Sequence, residues 1–165
     1  MAILTANQVP GGTAVLNPFV IVDNASDLIT FVLEVFGGSE NTNARTPTPD
    51  GKLIHSEVEL GGVTLMIADR LDGWVARPGL LQVWVGDVQA TLEAASSRGA
   101  SVVTPVTPFY GERNLGRMFD PFGNLWWLYA PAPGQADPVP AWEGGNDLVF
   151  RTIDEAMKGL ARRSA

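Results

Sequence analysis

The chain has 165 residues, enough for one domain or for two fused half-size modules with a substantial core. With 45% hydrophobic and 18% charged residues, its composition is not that of a disordered protein, and it contains no continuous apolar span of membrane length. The absence of cysteine excludes disulfides, thiolate metal sites and thiol nucleophiles, and a formal net charge of −7 with one basic pair, Arg162-Arg163, argues against nucleic acid as a partner.

Met1 to Thr13 has no basic start, only the short apolar patch Ala2-Ile3-Leu4 followed by Gly and Pro, so a secretory signal is not expected and a cytoplasmic location is. Ala14–Val22 reads as a buried strand, Asp23-Asn24-Ala25-Ser26 as a turn and helix cap, and Leu28, Phe31, Val32 and Val35 as the stripe of a helix that stops at Gly37-Gly38. Ser39–Asp50 is polar and contains Pro. The alternating run Leu53–Leu60, the turn Gly61-Gly62 and Val63–Ala68 then read as a strand and a hairpin.

The pattern repeats. Leu80–Val85 is an apolar strand, Gly86-Asp87 turns, Val88–Ser97 has a helical stripe at Val88, Leu92 and Ala95, and Gly99 ends it. Ser101–Val106 follows, then a loop from Thr107 to Asn114, Leu115–Asp120, a tight turn at Pro121-Phe122-Gly123, and Asn124–Tyr129. The expected fold is therefore α+β: two βαβββ modules, residues 14–70 and 71–131, pairing into a curved mixed sheet around a cleft with the helices outside. Ala130–Pro140 reads as an exposed extended linker. Leu148, Ile153, Met157 and Leu160 mark a terminal helix, so residues 132–165 are expected to pack on the outer surface or a second subunit, apart from the site.

The segment from Leu53 to Asp69 resembles the central hairpin of PhnB-like members of the vicinal oxygen chelate superfamily, the glyoxalase/bleomycin resistance/dioxygenase group. Phe109-Tyr110-Gly111-Glu112-Arg113, leading through Asp120-Pro121-Phe122-Gly123 to Trp126-Trp127, is similar to the end of that group's second module. The resemblance spans about Ala14 to Pro131. Asp120 to Gly123 also has a plain structural explanation, because Pro, Gly and Asp together make a tight turn in any hairpin.

The resemblance implies a homodimer, and in catalytic members a divalent metal held by His or Glu on the first and last strands of each module. Aligning the strands puts Asn17, Leu80, Met66 and Trp127 at those positions, which supply too few donors, so no metal and no other cofactor is expected. His55, the single histidine, shares a strand face with Glu57 and Glu59; the three form either a solvated or cavity-facing stripe or, for His55 and Glu57, an acid/base pair or a two-ligand fragment for a divalent metal, should the chain be an enzyme.

Alternation places Leu80, Gln82 and Trp84 opposite Leu81, Val83 and Val85, turning Gln82 and Trp84 toward the cleft. Phe109 and Tyr110, with Glu112 and Arg113 as an ion pair and Arg117 beyond, read as a lid over the cleft mouth, with either arginine able to take a carboxylate; Trp126 and Trp127 complete the aromatic lining. Three functions follow: a metal-free protein that sequesters an aromatic or amphipathic small molecule, a glyoxalase- or dioxygenase-like lyase or metal-independent isomerase using His55 and Glu57, and an interaction module acting through its tail. The first needs no residue the chain lacks.

Overall fold

The computed structural model describes residues 8, 9, 14–145 and 147–163. The reading of Met1 to Thr13, apart from Gln8 and Val9, and the side chains of Arg162 and Arg163 lie outside them. Among the described residues no helix is long and apolar enough to cross a membrane. The chain divides into two compact units, Met1–Pro78 and Gly79–Ala165.

In the first unit, β1 (Phe19–Val22) leads into α1 (Ala25–Phe36), and a four-stranded sheet forms with β2 (Ser39–Glu40), β5 (Glu57–Leu60) and β6 (Val63–Asp69) in the order β1-β6-β5-β2. β1 runs parallel to β6, and β5 antiparallel to β6 and β2. Leu28, Ile29, Phe31 and Val32 of α1 are buried with Val20, Val58, Leu65 and Ile67, which alternate onto one sheet face. The other face presents Phe19, Met66 and Glu57, in register across the strands.

Two local features depart from the sequence reading. The run Leu53–Leu60 is broken at Ser56, whose buried hydroxyl donates to the Ile67 carbonyl, so that β4 (Leu53–His55) pairs instead with the short β3 (Thr46–Pro47). The α1 cap is supplied from a distance. Asn24 at the helix start has φ 66° and makes no side-chain cap, while the Asp69 carboxylate accepts the Ala25 N–H at 2.7 Å and the Leu53 N–H at 2.7 Å.

The second unit repeats the topology. β7 (Leu80–Trp84), α2 (Val88–Ser96), β8 (Ser101–Phe109), β9 (Arg113–Phe119) and β10 (Leu125–Pro131) give the order β7-β10-β9-β8, with β7 and β10 parallel and the remaining pairs antiparallel. Asp87 caps α2 by accepting the Ala90 N–H at 3.0 Å. Helix and sheet touch most closely at Gly116, where a Cβ would stand 2.5 Å from Val88 Cγ1 and 3.1 Å from Leu92 Cδ1. Only glycine lets α2 sit this near.

One further expectation is corrected here. Thr107 to Asn114 is not a long loop: Phe109 pairs with Arg113, and Tyr110-Gly111-Glu112 alone turns the chain, with Gly111 at φ 73° and Glu112 at φ 52°. The aromatic residues expected in a mobile lid are thus carried largely by paired strands. The segment after β10 is tied to the preceding turn: Ala132 N–H donates to the Glu112 carbonyl at 2.7 Å, Gly134 N–H to Glu112 Oε1 at 2.9 Å, and Gly111 N–H to Asp137 Oδ1 at 2.7 Å. Finally, α3 (Leu148–Arg163) packs within this unit against β8, where the Thr104 and Thr152 hydroxyls meet at 2.7 Å.

The turn between β9 and β10 is held by one buried carboxylate. Asp120 Oδ1 accepts the backbone N–H of Phe122 and of Asn124, both at 2.9 Å, and Oδ2 accepts Asn124 Nδ2 at 2.7 Å and Trp126 Nε1 at 2.9 Å. Asn124 in turn accepts the Gly79 N–H at 2.9 Å, which ties β7 to the same turn. An Asp120→Ala substitution leaves four donors without their acceptor, and equilibrium urea unfolding is expected to register a loss of about 3 kcal/mol or more with an unchanged m-value.

Candidate functional site

Register sorts the second sheet into two faces. Leu81, Val83, Gly116, Met118, Trp126 and Leu128 point toward α2; Leu80, Gln82, Trp84, Arg113, Leu115, Arg117, Trp127, Tyr129 and Phe109 point away. Trp126 therefore does not belong with the proposed ligand contacts: it is 2% exposed on the helix side and bonded to Asp120. A single-residue step along β10 separates it from Trp127, which lies on the other face.

On the face opposite α2, the aromatic groups converge. The Trp84 and Tyr129 rings lie 5.5 Å apart, Tyr129 is 5.9 Å from Phe109, and Phe109 packs edge-on to Tyr110 at 5.3 Å. The Arg113 guanidinium sits over both Trp84, at 5.2 Å, and Tyr129, at 5.9 Å. Arg113 and Glu112 form no ion pair among the described residues, since Glu112 faces the following segment. Trp84 remains 51% exposed and Leu80 52%, while Tyr129 beneath them is buried. The result is an accessible aromatic wall with a cation laid across it.

Tyr129 was not singled out in the sequence, although its signal was present: it follows Trp127 by two residues on β10 and so shares its face. Gln82 lies across from Trp127 and is exposed, which gives the wall a directional hydrogen-bonding group at its edge.

Arg117 occupies the middle of this face. It is 5% exposed, its guanidinium lies 5.3 Å from the Trp127 ring, and one terminal nitrogen donates to Thr104 Oγ1 at 3.1 Å and to the Val149 carbonyl at 2.8 Å. Its Nε has no partner. Burial holds the guanidinium pKa below its ordinary value. Because Val149 belongs to α3, the tail is in contact with a candidate site residue, contrary to the expectation that it stands apart.

In the first unit, His55 Nε2 lies 3.1 Å from Glu57 Oε1, and Asn41 Nδ2 donates to Glu57 Oε2 at 2.9 Å. The pair is partly open to solvent. Glu59 separates from it, accepting from the Thr64 hydroxyl at 3.3 Å. Bonds from His55, first, and from Asn41 hold the Glu57 carboxyl below the usual carboxylate range. Asn41 is 16 residues away in sequence, and nothing in its local pattern marks it.

A scan against known families matches residues 14–128 to the glyoxalase/bleomycin resistance protein/dioxygenase superfamily. The chain belongs to that superfamily. An uncharacterised protein of Mycobacterium tuberculosis strain H37Rv is 33% identical over 144 residues, covering 76% of this chain and 83% of its own. Among solved structures, TioX from Micromonospora sp. ML1 is similar with a TM-score of 0.54 and 19% identity over 70% of this chain and 98% of its own. The fosfomycin resistance protein FosX from Listeria monocytogenes gives 0.57 and 15% over 72% and 93%. At these identities the structural likeness concerns the fold.

The four positions at which the resemblance places metal donors do not present them among the described residues. Asn17 is engaged, its Oδ1 accepting the Thr64 N–H at 3.2 Å and its Nδ2 donating to the Ala14 carbonyl at 2.8 Å. Met66 stands opposite Phe19, Leu80 opposite Leu125, and Trp127 opposite Gln82. Among the described residues no three of His, Asp and Glu come together.

The Glu57 pair yields a pH prediction. A carboxylate whose folded pKa is lowered stabilises the fold above its ordinary value, about 4.5, and that contribution disappears as pH falls through the lowered value. Comparing the wild type with Glu57→Gln by thermal unfolding, the wild type is expected to lead by less than about 1 kcal/mol above pH 5, since the pair is solvent-screened, with the lead shrinking toward pH 3.

Proposed function

We propose that this chain is a small-molecule-binding protein of the PhnB-like branch that sequesters a planar aromatic or amphipathic ligand without a metal. The observation that carries the reading is the Trp84–Tyr129–Arg113 stack: a large, half-exposed aromatic surface supported from below by a buried ring and crossed by a guanidinium. Such a surface offers stacking area at little conformational cost, and Arg113 adds attraction for electron-rich rings or for an anionic substituent. Gln82 supplies an orienting hydrogen bond. Recognition of this kind asks for no metal, which agrees with the poor donor set on the strands.

A second reading, acid/base catalysis, draws on the His55–Glu57–Asn41 chain. The imidazole and the carboxylate lie 3.1 Å apart in a partly open site, the arrangement an acid/base pair needs. The binding reading is preferred because the aromatic wall has a recognisable ligand class, whereas the His55 pair is fully accounted for by its own hydrogen bonds.

Titrating planar aromatic probes such as 1-naphthamide against Trp fluorescence tests the first reading. Trp84→Ala is expected to weaken binding by about tenfold or more, with thermal stability almost unaltered given the exposure of the ring. Equal affinity in wild type and variant would exclude this face as the site. Elemental mass spectrometry on tag-free protein provides the complementary check, with less than stoichiometric divalent metal expected.

A further inference from the structure

The second unit contains a cation that its surroundings do not neutralise. Arg117 is 95% removed from solvent by its position under α3, yet among the described residues it forms no ion pair, and its Nε lacks a hydrogen-bond acceptor. Its neutral partners are the Thr104 hydroxyl and the Val149 carbonyl. A buried charge without a counter-charge is costly, and a carboxylate is the group that relieves it best, through two charge-assisted bonds in the plane of the guanidinium. The first turn of α3 carries no acidic residue to offset the charge, and its only contribution is the neutral Val149 carbonyl.

The element covering Arg117 is itself weakly seated. None of the α3 side chains from Leu148 to Leu160 is buried, whereas α1 buries five residues and α2 four. Phe150 and Met157 are 52% and 40% exposed. Beside the first turn lies a cavity of about 200 Å³, lined by Phe109, Tyr110, Pro138, Val139, Val149 and Phe150, so Val149 and Phe150 are not closely packed on that side. Elements with few buried apolar contacts are those that open locally at low cost.

We infer that α3 is a displaceable cover and that Arg117 beneath it is the anchor for an anionic group of the ligand, most simply the carboxylate of an aromatic acid, which replaces the Val149 carbonyl when the helix lifts. The inference rests on the binding reading above and deepens it: the ring stacks on the open aromatic wall, and the carboxylate selects among ligands by reaching Arg117. Trp127, stacked on the same guanidinium, lies between the two halves of the face and reports occupancy. Affinity for the acid is set by the opening of α3 as well as by direct contact, because a ligand that binds only the open form must shift that equilibrium.

The absence of native cysteine permits a clean test in the full chain. Thr104→Cys with Thr152→Cys places two thiols where hydroxyls now meet at 2.7 Å, so oxidation staples α3 to β8 and reduction frees it in the same protein. Binding of 1-naphthoate and of the neutral 1-naphthamide is measured by calorimetry in wild type, in both redox forms and in Arg117→Gln. The expected result is that naphthoate binds at least about tenfold more tightly than naphthamide in wild type, that the reduced form, which has lost the Thr104 hydroxyl beside Arg117, still prefers naphthoate, and that this preference disappears in the oxidised form and in Arg117→Gln. Arg117→Lys, which retains the charge, is expected to keep part of it. Equal binding of acid and amide by wild type, or a naphthoate preference that survives stapling, overturns the inference. In either case naphthamide binding that Trp84→Ala weakens leaves the aromatic-wall reading intact; failure of both probes to bind removes the two together.

Discussion

The architecture of the second unit depends on the register of β10, and that register depends on Asp120. Its carboxylate gathers two backbone N–H groups, an asparagine amide and an indole N–H into one buried knot at the β9–β10 turn. Because side chains alternate with a period of two, the knot decides more than the turn. With Trp126 drawn toward Asp120 on the α2 side, Trp127 and Tyr129 must face the other way, in line with Gln82 and Trp84 on β7. A slip of one residue would bury Trp127 against α2 and dismantle the aromatic wall. The motif Asp-Pro-Phe-Gly is thus structural in its contacts and indirectly functional in what it aims.

The first unit uses a carboxylate to the same end by another route. Asp69 ends β6 and accepts the N–H of Ala25 at the head of α1 and that of Leu53 at the head of β4, tying two elements to one strand. This explains how Asn24 can occupy a left-handed conformation without providing a cap of its own: the donor it leaves free is satisfied 44 residues away. Long-range satisfaction of this kind is how a small sheet-and-helix unit closes its hydrogen-bond account without long loops.

Much of this was readable in the chain, and the reasons differ from element to element. The two β-turn-α units are marked by a change from strand-like to helical periodicity around Asp23 and Asp87, both local signals. Alternation in Leu80–Trp84 correctly separated Gln82 and Trp84 from Leu81 and Val83, because strand geometry leaves no other choice. What failed was whatever depended on partners distant in sequence. Trp126 and Trp127 are indistinguishable until the register of β10 is known. Thr107 to Asn114 contains two prolines' worth of turn signals if its flanks are included, yet Phe109 and Arg113 pair because β9 offers a complementary edge. Glu112 and Arg113 are adjacent and opposite in charge, but Glu112 sits in the turn with a left-handed backbone while Arg113 begins β9, so each finds its partner elsewhere. The stripe on α3 predicted a helix on the outer surface or a second subunit, and could not single out β8 as the strand it meets.

The contrast between the two kinds of buried charge in the second unit is the most informative feature of the candidate site. Arg117 lies on β9 and Asp120 in the turn that follows it, three residues on, and both are almost wholly removed from solvent. Asp120 has every expected donor; Arg117 has a hydroxyl, a carbonyl, an aromatic face and one nitrogen left over. Folding alone would favour a methionine or leucine at position 117, which would pack against Trp127 without a desolvation penalty. Native proteins keep few polar atoms in this condition, and those that remain concentrate where a ligand completes them. The same reasoning separates Arg113 from Arg117: Arg113 is exposed enough to exchange its contacts with water, so it can attract a ligand at the surface, whereas Arg117 gains substantially only from a partner that arrives with its own negative charge.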